Sequence, residues 1–422
     1  MPIDRLESQE NRILFGRFIR LVRYRRNHTL RSLAKLIDIS HAYLRKIELG
    51  QTPITRKVYE RLSSILDFTL DENIMEYHVF YDMIRSIHRD ILYLDLASAA
   101  NTVKTLEMRH DSFQNTLYAV DYFLALFAFK SVDLEPDLET LREYHDLLTA
   151  VEPLMDESQR HFFYVYSGNY YYLQNSDEKS LKFFEAAQNM HYHPGMTAYA
   201  TYLIGLSYSR TFQLPRSNRY LKRAMHLFEH QNNDLRVVAT HIFITINDMK
   251  MGKKHGVEKA FIDGIGFSEQ YDFKIFKRII QNNLVVFYLK SGRFDDALRL
   301  IGEIGTQTLK LCFYRAYAHF MMGNEAKAYD IAYQCDCKSP QGDYDQLMYV
   351  YGLKSFTVQK DDAKMKDTIF KRFFEETLNK RAYFEIDIAY QYYNDFLVQN
   401  RRYKEAYVVT DTLIGVTKKA YH

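Results

Sequence analysis

Residues 29–50 read TLRSLAKLIDISHAYLRKIELG, and this stretch decides how the N-terminal part of the chain folds. Thr29 and Ser40 are residue types that commonly cap the start of a helix, and each precedes a run with apolar residues at helical spacing. We therefore expect one helix from Leu30 to Ile37 and another from His41 to Glu48, which ends before a glycine. The tight turn Asp38-Ile39 between them predicts a helix-turn-helix.

Two further helices are expected to pack around this pair and close a compact bundle. The residues before it repeat apolar side chains at helical spacing and predict a first helix that ends near Asn27. The residues after it predict a fourth helix from about Thr55 to Leu66. The expected core positions are Phe15, Phe18, Ile19 and Val22 in the first helix, Leu30, Leu33, Ala34 and Ile37 in the second, Leu44 and Ile47 in the third, and Val58, Leu62 and Ile65 in the fourth.

The composition of the 422 residues favours helices throughout. Only 7 prolines and 16 glycines occur, which is below average usage and disfavours a turn-rich all-β fold. The 3 cysteines argue against a secreted disulfide scaffold, and the longest strongly apolar run, residues 122–129, is too short to span a bilayer. No secretory signal is readable. We therefore expect a cytoplasmic, all-α protein.

The net charge of +3 hides a division along the chain. Residues 1–70 carry 14 Lys and Arg against 7 Asp and Glu, whereas the remaining residues carry 42 against 46. Such asymmetry indicates a small basic module that binds a polyanion and is attached to a larger body that does not. We therefore expect two domains, residues 1–70 and residues 71–422.

The body after about residue 75 is predicted to be a series of helix pairs. Tyr288-x3-Gly292-x4-Ala297 and Phe320-x2-Gly323-x4-Ala328 are in step, with glycine at the turn between helices and alanine where the helices approach closely. Anchor positions recur every 31 to 42 residues from residue 168 onward, and this rhythm resembles degenerate tetratricopeptide repeats. The resemblance implies a right-handed α-superhelix whose first helices line a concave groove. The pattern does not fix the register of residues 75–160.

Residues 12–70 resemble the Xre and phage-repressor type of DNA-binding domain. The resemblance rests on Arg23, on residues 29–34 and 43–50, and on the turn Asp38-Ile39-Ser40, where Asp38 replaces the usual glycine. It implies that Glu48 pairs with Arg23 in a structural role. It also implies that the third helix enters the major groove.

Seven residues follow as candidate DNA contacts. Arg45 is the expected base reader, because a guanidinium can bind O6 and N7 of guanine together. Phosphate contacts supply affinity and register but little sequence information. The candidates are Thr29, Arg31, Ser40 and Lys46 for phosphates, and His41, Ala42 and Arg45 for base edges.

Aromatic and amide side chains at groove positions predict a cradle for a short peptide. An asparagine can donate to a backbone carbonyl and accept from a backbone N–H, so it can hold an extended chain without reading its sequence. The predicted peptide contacts are Asn169, Tyr172, Tyr202, Ser209, Arg210, Asn282, Asn283 and Tyr317. The alternative for each of them is ordinary packing between helices.

An Xre-type domain followed by a tetratricopeptide-like body resembles the Rgg–Rap–NprR–PlcR–PrgX (RRNPP) family of peptide-pheromone receptors, particularly its NprR-like and arbitrium-receptor-like branches. The resemblance implies a homodimeric quorum-sensing transcriptional regulator that binds a double-stranded DNA operator and is switched by a short signalling peptide. The dimer contact is expected from about residue 345 onward. The alternative is a Rap-like scaffold whose groove binds a phosphorelay protein and in which DNA binding is secondary.

The remaining motifs do not indicate an enzyme, a metal site or a cofactor. The pairs His191/His193 and Cys335/Cys337 lack the further ligands of a structural zinc site. Gly264-Ile-Gly266 lacks the third glycine of a dinucleotide-binding motif, and no nucleophile has a recognisable base. The basic run from Arg23 to Arg26 is expected to contact the DNA backbone.

Overall fold

The computed structural model describes residues 6–70, 74–133, 136–190, 193–305, 308–336, 346–359 and 362–418. These residues form helices and no strand, which confirms the all-α class. By its contacts the chain divides into two compact units, Met1–Ser207 with Arg223–Val237 and Tyr208–Lys222 with Val238–His422. A search of the described residues finds no membrane-spanning helix.

The N-terminal bundle has the caps that the sequence predicts. The backbone N–H of Ser32 donates to the Thr29 hydroxyl at 3.0 Å, and that of Tyr43 donates to the Ser40 hydroxyl at 3.1 Å. Asp38 adopts the left-handed conformation with a φ of 57°, so an aspartate does here what the usual turn glycine does. The helices are α1 (Gln9–Arg25), α2 (Leu30–Leu36), α3 (His41–Glu48) and α4 (Arg56–Leu66).

The core of the bundle consists of the expected apolar side chains, with two differences. Leu30 and Ile65 are only half-buried. In α4 the residue after Ile65, Leu66, is fully buried in its place. The other predicted core residues are all buried, and Phe18 packs edge to face on Phe68 with ring centroids 5.0 Å apart.

The first unit continues from the bundle into consecutive helices that pack on one another. They resolve the register of residues 75–160, which the sequence left open. These helices are α5 (Ile74–Leu92), α6 (Leu96–Met108), α7 (His110–Phe113), α8 (Ala119–Val132), α9 (Leu138–Val151), α10 (Glu157–Leu173) and α11 (Asp177–Met190). The next three have residues in both units: α12 (Pro194–Arg210), α13 (Leu214–His230) and α14 (Asp234–Lys250).

The second unit contains the predicted glycine turns. Gly292 and Gly323 have φ values of 71° and 80° just after α16 and α18, and the alanines that follow them, Ala297 and Ala328, are buried. Helix α17 begins at Phe294, directly after the Gly292 turn, and α23 begins at Tyr403. The helices are α15 (Val257–Gln270), α16 (Lys274–Lys290), α17 (Phe294–Ile304), α18 (Leu309–Met321), α19 (Glu325–Asp336), α20 (Leu347–Thr357), α21 (Ala363–Asn379), α22 (Tyr383–Gln399) and α23 (Tyr403–Lys418).

The N-terminal bundle and the first repeats belong to the same compact unit. Arg17 of α1 is 9% exposed, and its Nη1 donates to Gln159 Oε1 at 3.1 Å and to Asp156 Oδ2 at 3.2 Å. These contacts join residues about 140 positions apart in sequence. The expected division near residue 70 into separately acting domains stays a prediction about function.

Candidate functional site

A buried ion pair fixes α3, the helix expected to enter the major groove, to α1. Arg23 donates through Nε to Glu48 Oε1 at 2.6 Å and through Nη2 to Glu48 Oε2 at 3.0 Å, and its Nη1 donates to the His28 carbonyl at 2.9 Å. The two side chains are 12% and 4% exposed. A bidentate pair also sets the orientation of both partners, so α3 is held at its C-terminal end while its N-terminal end remains accessible.

All seven predicted DNA contacts are exposed and lie on α2, on α3 or at their N-terminal caps. Thr29 and Ser40 are the caps themselves, so their oxygens also accept from the backbone of the helix. Arg45 and Lys46 lie on the exposed side of α3, whereas Leu44 and Ile47 are buried. The structure thus brings the seven side chains to one small part of the bundle.

Gly16 allows α1 to approach the end of α3, a role that no local pattern in the sequence indicates. A Cβ atom at this position would lie 2.3 Å from the Glu48 carbonyl oxygen, a distance at which backbone must move. The glycine therefore supports the same helix end that the Arg23–Glu48 pair holds.

The arginines of the basic run from Arg23 to Arg26 have intramolecular partners, while their contact with a DNA backbone stays a prediction. Arg23 forms an ion pair with Glu48. Arg25 donates to Gln114 and lies over the Phe123 ring. Arg26 donates to the Leu66 carbonyl at 3.1 Å and to Asp67 Oδ2 at 2.9 Å. These arginines hold α1 to α4 and to the repeats.

Three of the predicted peptide contacts, Asn169, Tyr172 and Tyr202, lie in the first unit. Tyr172 is half-buried, whereas Asn169 and Tyr202 are only 6% and 5% exposed. The Arg236 guanidinium lies 5.5 Å from the centre of the Tyr202 ring, and Arg236 Nη2 donates to the Ile91 carbonyl at 2.6 Å. Tyr202 therefore differs from the expected groove residue, because it is packed against a buried arginine that joins three helices.

The other five predicted contacts lie in the second unit. Ser209 is 8% exposed and donates to Asn247 Oδ1 at 2.6 Å, so it too supports helix packing rather than facing solvent. Arg210 is half-buried. The buried Asn247 also donates to Ser217 and Asn218, at 2.7 and 2.8 Å, and the sequence did not identify it.

Asn282 and Asn283 of α16 are both half-buried but have different partners. Asn283 Nδ2 donates to the Ile279 carbonyl of its own helix at 2.8 Å. The Oδ1 atom of Asn282 is shielded from solvent and accepts no hydrogen bond within the described part of the chain. A buried acceptor in this state is costly, and it is suited to a donor from a ligand.

Tyr317 belongs to an aromatic cluster of the second unit. Its ring lies parallel to that of Phe313 at 6.4 Å and edge to face with Phe384 at 5.7 Å. Burial raises the pKa of Tyr317 above that of an exposed tyrosine. Phe356, Phe320 and Tyr392 continue the cluster.

A cavity of about 910 Å³ in the first unit was not expected from the sequence. It lies among α5, α8 and α10, and its lining includes Asp121, Gln159 and Phe162. Gln159 Nε2 donates to both Asp121 oxygens, at 3.1 and 3.0 Å, while its Oε1 accepts from Arg17. Burial raises the pKa of Asp121 to about 6, against the opposing effect of the Gln159 hydrogen bond.

No group of three or more potential metal ligands occurs among the described residues. Of the two pairs set aside from the sequence, His191 and Cys337 lie outside those residues. His193 Nδ1 accepts from the Met196 backbone N–H at 3.3 Å, which gives it a local structural role.

Comparisons with known proteins agree with these features. Residues 14–73 match a family model described as a helix-turn-helix domain. The transcriptional activator NprA of Geobacillus stearothermophilus is 24% identical over 225 residues, which is 51% of this chain and 53% of the relative. The chain thus spans about half the length of the curated relative that it matches.

Solved structures share the fold. The apo form of the quorum sensor NprR from B. thuringiensis aligns with a TM-score of 0.58 and 16% identity, over 80% of this chain and 99% of that chain. A Rap protein complexed with competence and sporulation factor aligns with a TM-score of 0.62 and 13% identity, over 81% and 98%.

The fold and the N-terminal domain define a helix-turn-helix protein with a tetratricopeptide-like helical body. Within that class, the NprA match, the domain match and the NprR fold coincide. In its N-terminal domain and its fold, the chain is similar to NprA and NprR, in agreement with the resemblance in the sequence.

Proposed function

We propose that this protein is a cytoplasmic, peptide-responsive transcriptional regulator that binds DNA as a homodimer. The observation that carries the proposal is the exposed, polar N-terminal part of α3, held at its other end by the buried Arg23–Glu48 pair. A helix fixed at one end and polar at the other is suited to entering a major groove.

Arg45→Ala tests the DNA-binding part. We expect specific retardation of operator-bearing genomic fragments to weaken about tenfold to a hundredfold, because a bidentate arginine–guanine contact contributes about 1–3 kcal/mol of discrimination. Gel shifts at fixed salt measure this. Arg142→Ala, which removes an exposed arginine of α9, is the matched control. A wild-type protein that retards no fragment at moderate salt would contradict the regulator and favour the scaffold.

The peptide contact that the geometry supports best is Asn282. Its Oδ1 lacks a donor within the described residues, and an extended peptide would supply a backbone N–H. The structure of NprR in complex with its cognate peptide NprX has a similar fold, with a TM-score of 0.55. We extend peptide binding from that protein to this chain as part of the proposal.

Asn282→Leu tests the peptide contact. We expect the variant to retain no peptide from a random heptapeptide pool that the wild type enriches, as measured by affinity selection and mass spectrometry. We also expect an unfolding free energy equal to or higher than that of the wild type, because the substitution removes a buried acceptor that has no donor. Asn400→Leu is the control, since Asn400 bonds only a carbonyl of its own helix. Unchanged peptide retention by Asn282→Leu would contradict this contact.

A homodimer follows from the geometry of operator binding. Two recognition helices that read half-sites one turn apart must be held about 34 Å from each other. A peptide that binds one conformation of the body more tightly than another would shift this spacing and thereby DNA affinity.

A further inference from the structure

The cavity of the first unit has a polar layer beside an apolar layer. Helix α8 contributes Asp121 and, one turn later, Leu124; helix α10 contributes Gln159 and, one turn later, Phe162. Residues three apart lie on the same face of a helix, so each helix presents its polar residue next to its apolar one. A ligand here meets a carboxylate at one level and a hydrophobic surface at the next.

The polar layer selects a cation. The two oxygens of Asp121 accept from the single Nε2 group of Gln159, whereas a carboxylate has about four acceptor sites. An ammonium group has three donors and carries the complementary charge. It would also offset the cost of keeping this carboxylate ionised away from bulk water.

The apolar layer is aromatic and uncharged. Phe162 stacks on His88 with ring centroids 4.1 Å apart. Burial lowers the pKa of His88 to about 3, so this imidazole is neutral and does not repel a cation. Arg85 and Arg89 also line the cavity, but both are exposed to solvent, and Arg89 is paired with Asp90 at 3.0 Å.

We propose that this cavity binds a ligand with an ammonium group next to an apolar or aromatic side chain, with the ammonium on Asp121 and the side chain on Phe162. This is the chemistry of the amino-terminal residue of a peptide and also of a free aromatic amine. The site lies wholly in the first unit and does not depend on the Asn282 contact.

Gln159 couples this site to the N-terminal bundle. The same amide donates to Asp121 and accepts from Arg17 of α1, and it completes the cap of α10. A cation bound at the remaining acceptor sites of Asp121 brings a second positive charge toward Arg17, which the same glutamine holds. Ligand binding therefore weakens the hold of Arg17 on the repeats and loosens α1. By thermodynamic reciprocity, weakening the Arg17 contact strengthens ligand binding.

Binding is tested on the full chain with L-phenylalaninamide and N-acetyl-L-phenylalaninamide, which differ in the ammonium group. In titrations followed by NMR, we expect the first to bind and the second to bind at least about tenfold more weakly. Asp121→Asn should weaken binding of the first by a similar factor. The exposed Asp111→Asn should bind as the wild type does. Equal binding of the two probes, no binding of either, or no effect of Asp121→Asn would overturn the proposal.

The pentapeptide Phe-Ala-Ala-Ala-Ala distinguishes the two sources of the ammonium. A dissociation constant at least about tenfold below that of phenylalaninamide identifies a peptide as the ligand class, whereas equal constants identify a free amine. Either result requires the Asp121 dependence above. DNA retardation and the Asn282-dependent retention of peptides are measured in separate experiments. A failure of the proposed function can therefore be distinguished from a failure of the cavity proposal.

The coupling is tested by amide hydrogen exchange of α1. Saturating phenylalaninamide should speed exchange in this helix severalfold in the wild type. In Gln159→Leu exchange should already be fast and should not respond. Gln188→Leu, which removes another buried glutamine of the first unit, should respond as the wild type does. Ligand binding without any change in α1 would overturn the coupling.

Discussion

Asp121 is a carboxylate whose protonation changes close to neutral pH. Burial raises its pKa to about 6 from the ordinary value of 3.8, so the folded state binds its proton more tightly than the unfolded chain does. The resulting stabilisation is fully present below pH 3.8 and is lost as the pH rises through about 6. At pH 7.5 the wild type therefore bears the cost of a buried charge.

Asp121→Asn should remove this cost. We expect the variant to unfold at a higher temperature than the wild type at pH 7.5, by about 2 kcal/mol in free energy, and to lose the advantage as the pH falls from 6 to 4. Thermal denaturation across this range measures it. Asp111→Asn, whose carboxylate is exposed, is the control. An Asp121→Asn variant less stable than the wild type at pH 7.5 would contradict the burial cost.

Residue roles could be predicted where the partners lie within one local motif. The caps at Thr29 and Ser40 and the pair of Arg23 with Glu48 were expected, because they follow from spacing within the bundle or from its family pattern. Gln159, Asp121 and Arg17 could not be found in this way. Gln159 is 38 positions from Asp121 and 142 positions from Arg17 in the sequence. A pattern of local spacing cannot predict contacts at such separations.

At the scale of helices, the groove residues show the limit of periodicity. A helical repeat identifies which residues share a face, but a face can point to solvent or to the next helix pair. Tyr202 and Ser209 share the predicted spacing and are nevertheless buried against Arg236 and Asn247. Asn282 remains the distinctive position, because the packed helices leave its carbonyl oxygen without a donor in the described residues.

Two glycines in helices make a matched pair for testing helix approach. Gly16→Ala should lower the stability of the bundle by about 2 kcal/mol or more, because the new methyl group would overlap the Glu48 carbonyl. Gly266→Ala in α15 should instead raise stability by about 0.5–1 kcal/mol, since a Cβ there meets nothing within 4 Å. Chemical denaturation measures both. An unchanged free energy of unfolding in Gly16→Ala would contradict this prediction, because it would show that α1 can move away from the end of α3 at no cost.

At the scale of the whole molecule, α23 offers an exposed surface for the proposed homodimer. Tyr403, Tyr407 and Val408 of α23 are 62%, 71% and 61% exposed, whereas Ala406 and Val409 are buried. Clustered exposed apolar side chains are typical of interaction sites. This helix lies within the region from about residue 345 onward, where the dimer contact is predicted.

Tyr407→Glu should convert the dimer to a monomer, because a charge at the centre of this surface would be buried without a partner. Light scattering at several protein concentrations measures the mass. Tyr333→Glu changes an exposed tyrosine of α19 and should leave the dimer intact. A dimer that persists in Tyr407→Glu would place the contact elsewhere.

The discontinuous division of the chain has a consequence for its synthesis. The first unit includes Arg223–Val237, whereas the preceding segment, Tyr208–Lys222, belongs to the second unit. The ribosome therefore synthesises part of the second unit before the first unit is complete. An emerging chain therefore cannot complete the unit that carries the N-terminal bundle until after part of the other unit has appeared. For the same reason one protease cut cannot liberate either unit intact. Nascent-chain experiments should find the first unit complete only once the segment ending at Val237 has left the exit tunnel.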